Sequence, residues 1–313
     1  GDAMVQLHNR SIALLDDFAR QSSNVFHLNR RGYLYLSTDK ARTPHMEAGA
    51  QEASALGAGE LRVHRGGSSS YQPHQAEGFE HSPDGADLLL DAALIRQHFP
   101  YLGEDVVAAL HVRRAGWLSA QQYGAWLLEQ ARAAGVHMLS GKVVAVHTQA
   151  GAISSVTLED GASIETKVLV NAAGPFLGEL GKLFSVEIPV FNELHLKASI
   201  EDHLAVVPRD APLLIAADPQ RLSWTPEERA YLADDPETAW LLDELPAGAH
   251  TRPEGAATAS SILVLWDTHN EVLEPVFPLP EDPMYTEIAL RGLGRVLPGT
   301  RAYVEKMTRH FVY

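Results

Sequence analysis

Two side chains that can carry a positive charge, His195 and Lys197, alternate with Leu194 and Leu196 in a strand-like segment. Because successive side chains of a strand point to opposite faces, the alternation predicts that His195 and Lys197 lie on one face of a sheet. On such a face a histidine can hydrogen-bond a carboxylate, and a lysine can stabilise negative charge. The alternative is structural: Lys197 is a solvated strand residue, and His195 is hydrogen-bonded to a neighbour.

A second group of candidate side chains follows a strongly apolar predicted strand at 261–266. Trp266 ends this strand, and Asp267, Thr268 and His269 come directly after it. An aromatic wall beside polar side chains suits a chamber for a small organic molecule. Trp266 can equally close the domain core, because large aromatic side chains at strand ends usually do so.

The sequence lacks the residues or spacings that disulfide, metal and serine-hydrolase sites require. There is no cysteine, which excludes disulfides, thiolate metal sites and cysteine nucleophiles. His64, His74 and His81 lie in a polar stretch without metal-site spacing, so they are predicted to be surface residues and no metal is expected. The serines at 68–70 lack the strand-turn-helix context of a hydrolase nucleophile.

Composition narrows the class of protein and its partners. A chain of 313 residues with 45% hydrophobic residues suits a globular protein of about two domains. The 40 acidic and 25 basic residues give a formal charge of -15, which disfavours nucleic acids and anionic membranes as partners. No apolar run has transmembrane length, and the amino end has no signal pattern, so we expect a cytoplasmic protein.

Periodicity and turn residues predict the elements that must position the candidate side chains. Asp2 is predicted to cap the first helix, and Ser119 with Gln122 forms a capping box. The stretch 39–85 is polar and contains many Gly and His residues, so it reads as an excursion from the core. Helices are predicted over 2–22, 47–56, 91–99, 121–134 and 285–297, with short ones at 226 and 241–242; strands are predicted at 26–28, 32–37, within 186–200 and at 261–266.

The segment 135–175 reads as a strand, an antiparallel meander and a returning strand. Strands are predicted at 143–146 and 153–158, with tight turns at Gly151 and at Asp160-Gly161. The continuous apolar run 168–170 is typical of a buried central strand. It leads into Ala172-Ala173-Gly174, where minimal side chains let a ligand approach the backbone.

At these residues the sequence resembles the D-amino-acid oxidase family of FAD-dependent oxidoreductases, which includes glycine and sarcosine oxidases. The matching motifs occur in the order and at the spacing of that family. They are Gly32-Tyr33-Leu34-Tyr35-Leu36, Asp91-Ala92-Ala93-Leu94-Ile95, Gly116-Trp117-Leu118-Ser119, Gly141-Lys142-Val143-Val144 and Asn171-Ala172-Ala173-Gly174-Pro175. The sequence departs from the family in having no G-x-G-x-x-G turn, and we expect this chain to lack the family's closing segment as well.

The resemblance implies an α/β fold with a partial, Rossmann-like FAD-binding domain and a sheet-based α+β substrate domain. We expect the FAD-binding domain at 1–30 and 115–184, and the substrate domain at 31–114 and 185–313. By resemblance, Val143 and Val144 meet the adenine end of FAD, and Ala172, Ala173 and Gly174 pass near its pyrophosphate. The pattern by itself makes Val143 and Val144 simple strand core.

The resemblance also implies roles for the candidate side chains. Lys197 would steady the anionic reduced flavin ring, His195 would bond a substrate carboxylate, and Trp266 and His269 would line the substrate chamber. Without cysteine, the FAD is expected to be non-covalent or attached through another residue such as histidine.

The implied reaction is oxidation of a carbon–nitrogen bond in a small amine or amino acid, by hydride transfer to FAD. The alternative is a truncated, flavin-free binding or assembly module that self-associates or pairs with another chain. An NAD-dependent dehydrogenase fits less well, because the Ala-Ala-Gly turn ends a meander instead of opening a βα unit.

Overall fold

The computed structural model describes residues 1–66, 69–255, 258–268, 272–280, 282–306 and 310–312. The chain forms two compact units. The first unit comprises Gly1–Leu128, His195–Thr268 and Glu281–Tyr313, and the second comprises Glu129–Leu194 and His269–Pro280. The expected division into FAD-binding and substrate domains concerns function and stays a prediction.

Helices and strands mix along the chain, which confirms the predicted α/β class. The helices are α1 (Asp2–Gln21), α2 (Thr43–Ala53), α3 (Ala92–His98), α4 (Ala120–Ala133), α5 (Leu177–Lys182), α6 (Pro226–Asp234), α7 (Tyr285–Leu293) and α8 (Arg301–Lys306). The strands are β1 (Tyr33–Ser37), β2 (Leu61–His64), β3 (Ala86–Leu89), β4 (Ala108–Val112), β5 (Val143–Gln149), β6 (Ala152–Leu158), β7 (Ser163–Glu165), β8 (Ala198–Glu201), β9 (Leu213–Ala216), β10 (His250–Pro253), β11 (Ser261–Leu265) and β12 (His310–Val312). No helix in the described ranges is long and apolar enough to cross a membrane.

A nine-stranded mixed sheet organises the first unit, in the order β12-β8-β11-β10-β9-β1-β4-β3-β2. Strands β1 and β9 pair in parallel, as do β2 and β3, and the other neighbours are antiparallel. Leu34, Leu36, Leu214 and Val264 share one face of this sheet and are fully buried. Helix α7 packs near β11 and covers this buried face.

Local signals explain where several helices begin. The Asp91 carboxylate caps α3 by accepting hydrogen bonds from the amides of Ala93 and Leu94, and the Thr225 hydroxyl caps α6 in a complete capping box. Only half of the box predicted for α4 forms: Ser119 Oγ accepts from the Gln122 amide at 3.4 Å. The other half is missing because the Ser119 amide donates to a backbone carbonyl, that of Phe26, at 2.8 Å.

The start of the chain differs from the prediction in two details. Helix α1 forms, but its N-cap is Gly1, and Asp2 lies within the first turn. The predicted strand at 26–28 is wrong, because Asn24 and His27 adopt positive φ angles that interrupt extended backbone. Phe26 and Leu28 instead fill a buried cluster beside α1 and the start of α4.

The stretch 39–85 is more ordered than its composition suggested. It contains α2, which overlaps the helix predicted at 47–56, and the edge strand β2, for which the excursion interpretation is wrong. His64 was predicted to lie at the surface but is only 6% exposed, because its Nε2 bonds to the buried Asp87 carboxylate at 3.0 Å. His74 is half-buried, and its Nε2 bonds to the Asp210 carbonyl at 2.7 Å. His81 is exposed, as predicted.

The second unit contains the predicted antiparallel meander. Strands β5, β6 and β7 form a three-stranded sheet in sequence order. Ala150 and Gly151 both have positive φ angles, as a tight hairpin turn requires, and Gly161 does so in the second turn. The alternating side chains and turn residues of this segment therefore predicted its pairing correctly.

The predicted buried strand at 168–170 is wrong. Val168 is 74% exposed and Val170 is 78% exposed, and these residues belong to no strand. Their local bonding explains this result: Thr166 Oγ1 donates to the Val168 carbonyl at 2.8 Å and accepts from the Val168 amide at 3.3 Å. An apolar run becomes a buried strand only beside partner strands, and β5, β6 and β7 pair only with one another in the described chain.

Candidate functional site

The ends of β8, β10 and β11 bring together polar side chains that are distant in sequence. Val264 pairs with Ala198, and Leu265 pairs with His250. Continuing this register places Lys197, Leu265 and His250 side by side on the face opposite the buried one. His195 and Lys197 are exposed and Leu196 is 3% exposed, so the predicted alternation is present although this segment precedes the assigned strand.

His195 contacts the carboxylate of a residue beyond the end of β11. Its Nδ1 lies 3.0 Å from Asp267 Oδ1, and the two side chains are 50% and 46% exposed. A contact between two polar side chains with this much exposure contributes little stability, since water competes with it. Its structural effect is to orient the imidazole ring of His195 on the face that also carries Lys197.

Tyr285 of α7 supports this part of the site from the buried side of the sheet. Its hydroxyl donates to the Leu196 carbonyl and accepts from the Trp266 amide at 3.0 Å. The phenol thus bridges the two chain segments where direct strand pairing ends. Burial raises the pKa of Tyr285 to about 12, so the hydroxyl remains a neutral donor near neutral pH.

Trp266 lies in the domain core, which the sequence analysis gave as the alternative to a place in the chamber wall. Its ring is 1% exposed on the α7 side of the sheet, and its Nε1 donates to the Pro246 carbonyl at 3.1 Å. A Cβ atom added to Gly292 of α7 would lie only 2.3 Å from ring atom Cζ3 of Trp266. Trp266 therefore closes the core behind the site, and the polar side chains lie in front. His269 lies outside the described residues.

The sequence analysis missed His250, which opens β10 on the same face as Lys197. Its Nδ1 donates to the Gly248 carbonyl at 2.7 Å, which makes Nε2 the acceptor in the neutral ring. Burial lowers the pKa of His250, and the charges of Lys197 and Arg252 act in the same direction. The alternation of His250 and Arg252 around Thr251 was a strand signal, but it was hidden in a stretch rich in proline and acidic residues.

The predicted cofactor-binding residues all lie in the second unit. Val143 and Val144 begin β5, and Val144 is 41% exposed. Ala172 and Gly174 are exposed, and Ala173 is half-buried. The preceding Asn171 shapes the turn: its Oδ1 accepts from the Ala173 amide at 3.3 Å, and its Nδ2 donates to a backbone carbonyl in α5 at 2.9 Å.

The turn at Ala172-Ala173-Gly174 has an open backbone. Gly174 has a φ angle of +58°, and a Cβ atom placed on it would meet no atom within 4 Å. This space fits the close approach of a ligand to the backbone, as the small side chains predicted. Among the described residues, no group of three or more His, Asp or Glu side chains is arranged to hold a metal ion.

A separate cluster of charged side chains is formed by neighbouring residues of β2, β3 and the end of β4. Asp87 is 2% exposed, and its carboxylate accepts hydrogen bonds from Arg62 Nε at 2.7 Å and from His64. Arg113 Nη1 is 3.4 Å from Asp87 Oδ2. Burial alone would raise the pKa of Asp87, but the hydrogen bonds and the charges of the two arginines outweigh it, so the pKa is lowered. These charges are mutually compensated, which indicates a structural role.

His111 extends this cluster and is fully buried. Its Nδ1 accepts hydrogen bonds from Arg113 Nη1 at 2.8 Å and from the Tyr71 hydroxyl at 2.9 Å, and its Nε2 donates to the Arg31 carbonyl at 2.8 Å. Arginine can only donate and a carbonyl can only accept, so the ring is neutral with its proton on Nε2. Burial and the charge of Arg113 lower the pKa of His111 to about 3.

Solved structures share this fold at low sequence identity. L-Proline dehydrogenase from P. horikoshii matches with a TM-score of 0.67 and 14% identity, covering 100% of this chain and 67% of that one. Glycine oxidase from Geobacillus kaustophilus matches with a TM-score of 0.62 and 13% identity, covering 98% of this chain and 65% of that one. Iminodiacetate oxidase from Chelativorans sp. BNC1 matches with a TM-score of 0.59 and 15% identity, covering 97% of this chain and 65% of that one. The chain thus spans about two thirds of the length of these relatives.

Comparison of the sequence itself shows the family. No curated protein sequence matches the chain. The family model described as FAD dependent oxidoreductase matches residues 1–298, nearly the whole chain, and confirms the resemblance seen in the motifs. The chain therefore belongs to the FAD dependent oxidoreductase family.

Proposed function

We propose that the protein, together with FAD, oxidises a carbon–nitrogen bond of a small amine or amino acid. The observation that carries this proposal is the grouping of His195, Lys197, His250 and Asp267 at the ends of three neighbouring strands. A cationic side chain and a neutral imidazole in one place match the carboxylate and the amine of an amino acid. The names of the similar solved structures, which refer to proline, glycine and iminodiacetate, support the same substrate class.

Each side chain has a distinct task in the proposed reaction. Lys197 supplies the positive charge that attracts a carboxylate and offsets negative charge developing on this face. His195, held through Nδ1 by Asp267, donates from Nε2 to the carboxylate in the form of the ring that carries protons on both nitrogens. His250 stays neutral because its pKa is lowered, so its Nε2 can accept a hydrogen bond from the substrate amine. Bound FAD supplies the acceptor for the hydride that leaves the carbon next to nitrogen.

The remaining predicted residues belong to the same proposal. Trp266 supports the chamber from behind, and His269, close after Asp267 in sequence, is a further chamber residue. Val143 and Val144 contact the adenine end of FAD, and the backbone at 172–174 lies near its pyrophosphate without a covalent link. The FAD-binding domain then comprises 1–30 and 115–184, and the substrate domain comprises 31–114 and 185–313.

Anaerobic reduction of the flavin tests this function directly. The chain is reconstituted with FAD and mixed with glycine, sarcosine, proline or a simple alkylamine, while the visible flavin absorbance is followed. We expect at least one of these compounds to bleach the flavin. If FAD binds tightly and no amine or amino acid reduces it, the proposed reaction is wrong.

Two variants assign the roles at the site. Lys197→Met should weaken the binding of amino acids by about tenfold or more relative to the binding of amines without a carboxylate, because a charge-assisted contact is lost. His250→Phe should weaken the binding of amino acids and of simple amines alike, because the hydrogen-bond acceptor for the amine is lost. Lys40→Met is the matched control, since Lys40 is an exposed lysine of the same unit outside the site. Equal losses for amino acids and amines in Lys197→Met would contradict the assignment to the carboxylate.

A flavin-free assembly module is the second candidate, and one observation favours it. Val168 and Val170 expose most of their surface beside the open turn, and exposed apolar segments favour contacts with another chain. Titration with FAD followed by flavin fluorescence, combined with light scattering against protein concentration, separates the two candidates. Association without FAD binding would support the module, and stoichiometric FAD binding by a monodisperse monomer would exclude it.

A further inference from the structure

A cavity of about 390 Å³ lies between α2 and the exposed-side face of the large sheet in the first unit. It is called the α2 cavity here. Its floor is formed by apolar and aromatic side chains of β1, β2 and β4, and its roof by α2, which contributes small residues together with His45 and Met46. The residues that matter for the argument are Tyr35, Gly49, Ala53, Leu61, Leu110 and Val112.

The small size of the roof residues explains why this volume exists. A helix normally fills the layer above a sheet with large apolar side chains, and interiors contain few voids larger than a water molecule. Beyond His45 and Met46 in its first turns, helix α2 presents only Gly49, Ala50 and Ala53 to the cavity. A Cβ atom placed on Gly49 would meet no atom within 4 Å, so the space continues to the helix backbone.

One end of the α2 cavity is polar but electrically balanced. The Asp218 carboxylate accepts hydrogen bonds from the Ser37 hydroxyl at 2.8 Å and the Thr38 amide at 2.7 Å, and it lies 3.4 Å from Arg42 Nε. Both Arg42 and Asp218 line the cavity, so the guanidinium charge is already compensated. A bound carboxylate would face the Asp218 charge, and a bound ammonium would face Arg42.

Tyr35 adds a neutral hydrogen-bonding group to the cavity wall. Within the part of the chain that the structure describes, no residue hydrogen-bonds its hydroxyl. Burial raises the pKa of Tyr35, so the phenol remains protonated at neutral pH. A ligand hydroxyl or carbonyl could therefore receive the phenol proton.

We propose that the α2 cavity binds a small uncharged amphipathic molecule, with an apolar body of about six to ten carbon atoms and one hydroxyl or carbonyl group. The apolar floor and roof hold the body, and Tyr35 hydrogen-bonds the head. The balanced pair of Arg42 and Asp218 discriminates against charged heads. The α2 cavity lies on the same face of the sheet as His250 and Lys197, because Tyr35 pairs with Ile215 and Ile215 pairs with His250. Neither His195, Lys197 nor His250 lines it.

Hexanol, hexanoate and hexylamine are matched probes for this proposal, because they share one alkyl chain and differ in head charge. Binding to the full chain is measured by titration calorimetry and by ligand-observed NMR. We expect saturable binding of hexanol, with hexanoate and hexylamine at least about tenfold weaker. Equal binding of the three probes, or no saturable binding of hexanol, would overturn the proposal.

Gly49→Leu tests the location, because it fills the cavity from the helix and should abolish hexanol binding. Gly124→Leu is the matched control: Gly124 is an exposed helical glycine with open space around it, outside the cavity. We expect Gly124→Leu to bind hexanol as the unchanged chain does. If Gly49→Leu binds hexanol equally well, the site lies elsewhere.

Tyr35→Phe keeps the test decisive if Gly49→Leu does not fold. This variant removes only an oxygen atom. We expect it to weaken the binding of hexanol by about three- to tenfold while leaving the affinity for hexane unchanged. An unchanged affinity for hexanol would contradict the assigned role of the phenol.

Discussion

Replacement of Tyr285 by phenylalanine tests how the buried side of the sheet supports the candidate site. Tyr285 is 1% exposed, and its hydroxyl is the shared partner of the Leu196 carbonyl and the Trp266 amide. Leu196 and Trp266 are 3% and 1% exposed, so water cannot easily replace the lost phenol. The variant therefore leaves one donor and one acceptor buried without a partner.

The expected magnitude follows from these two backbone groups. Each buried polar group that loses its partner costs about 1–3 kcal/mol, so the loss of two should lower the free energy of unfolding of Tyr285→Phe by about 2–6 kcal/mol. Burial raises the pKa of Tyr285 to about 12, so the phenol is neutral at both pH 6 and pH 9. The loss of unfolding free energy should consequently be the same at about pH 6 and about pH 9.

Urea unfolding of the full chain, followed by circular dichroism, measures this loss. Tyr231→Phe is the control, because Tyr231 is 74% exposed and the change should alter stability by less than about 0.5 kcal/mol. A loss below about 1 kcal/mol for Tyr285→Phe would refute the bridging role. We also expect the affinity for an amino acid to fall, because Leu196 lies between the two candidate residues His195 and Lys197.

Three further changes test the packing and charges around the sheet. His111 has a pKa of about 3 when folded, below its ordinary value of 6.5, so the stability it contributes is complete above that ordinary value and falls as pH decreases. His111→Gln should remove about 1.4 kcal/mol per pH unit of this slope between about pH 6.5 and 5, measured by urea unfolding. Asp87→Asn should cost about 3–5 kcal/mol in the same assay at neutral pH, because the buried Arg113 loses its carboxylate partner, and a loss under about 1 kcal/mol would contradict this. Gly292→Ala should cost about 1–3 kcal/mol by forcing Trp266 aside, with a change in tryptophan fluorescence. Gly124→Ala should instead stabilise by about 0.5–1 kcal/mol, and a similar gain for Gly292→Ala would refute the clash.

Short-range patterns in the sequence were sufficient for the elements whose partners are close along the chain. The meander could be predicted because β5 and β6 are joined by a tight turn at Gly151, and glycine readily adopts the positive φ angle that this turn requires. Helix α3 could be predicted because Asp91 caps its own first turn. The family could be recognised because its motifs keep their order along the chain.

The buried state of the run 168–170 could not be read from its composition. Three apolar residues are compatible with a central strand, yet Val168 and Val170 are exposed because no described strand lies beside them. Burial of a strand depends on its neighbours, and neighbours belong to tertiary structure. The same limit applied to Trp266, for which the sequence left wall and core as alternatives and the packing against Gly292 selected the core.

For the candidate site, the sequence by itself determined the alternation of His195 and Lys197 and the polar residues after β11. The tertiary structure alone decided that Asp267 orients His195, that His250 joins the same face and that Tyr285 supports it from behind. The physical reason is range: alternation and capping depend on residues a few positions apart, whereas strand register and buried hydrogen bonds join segments that meet only when the chain folds.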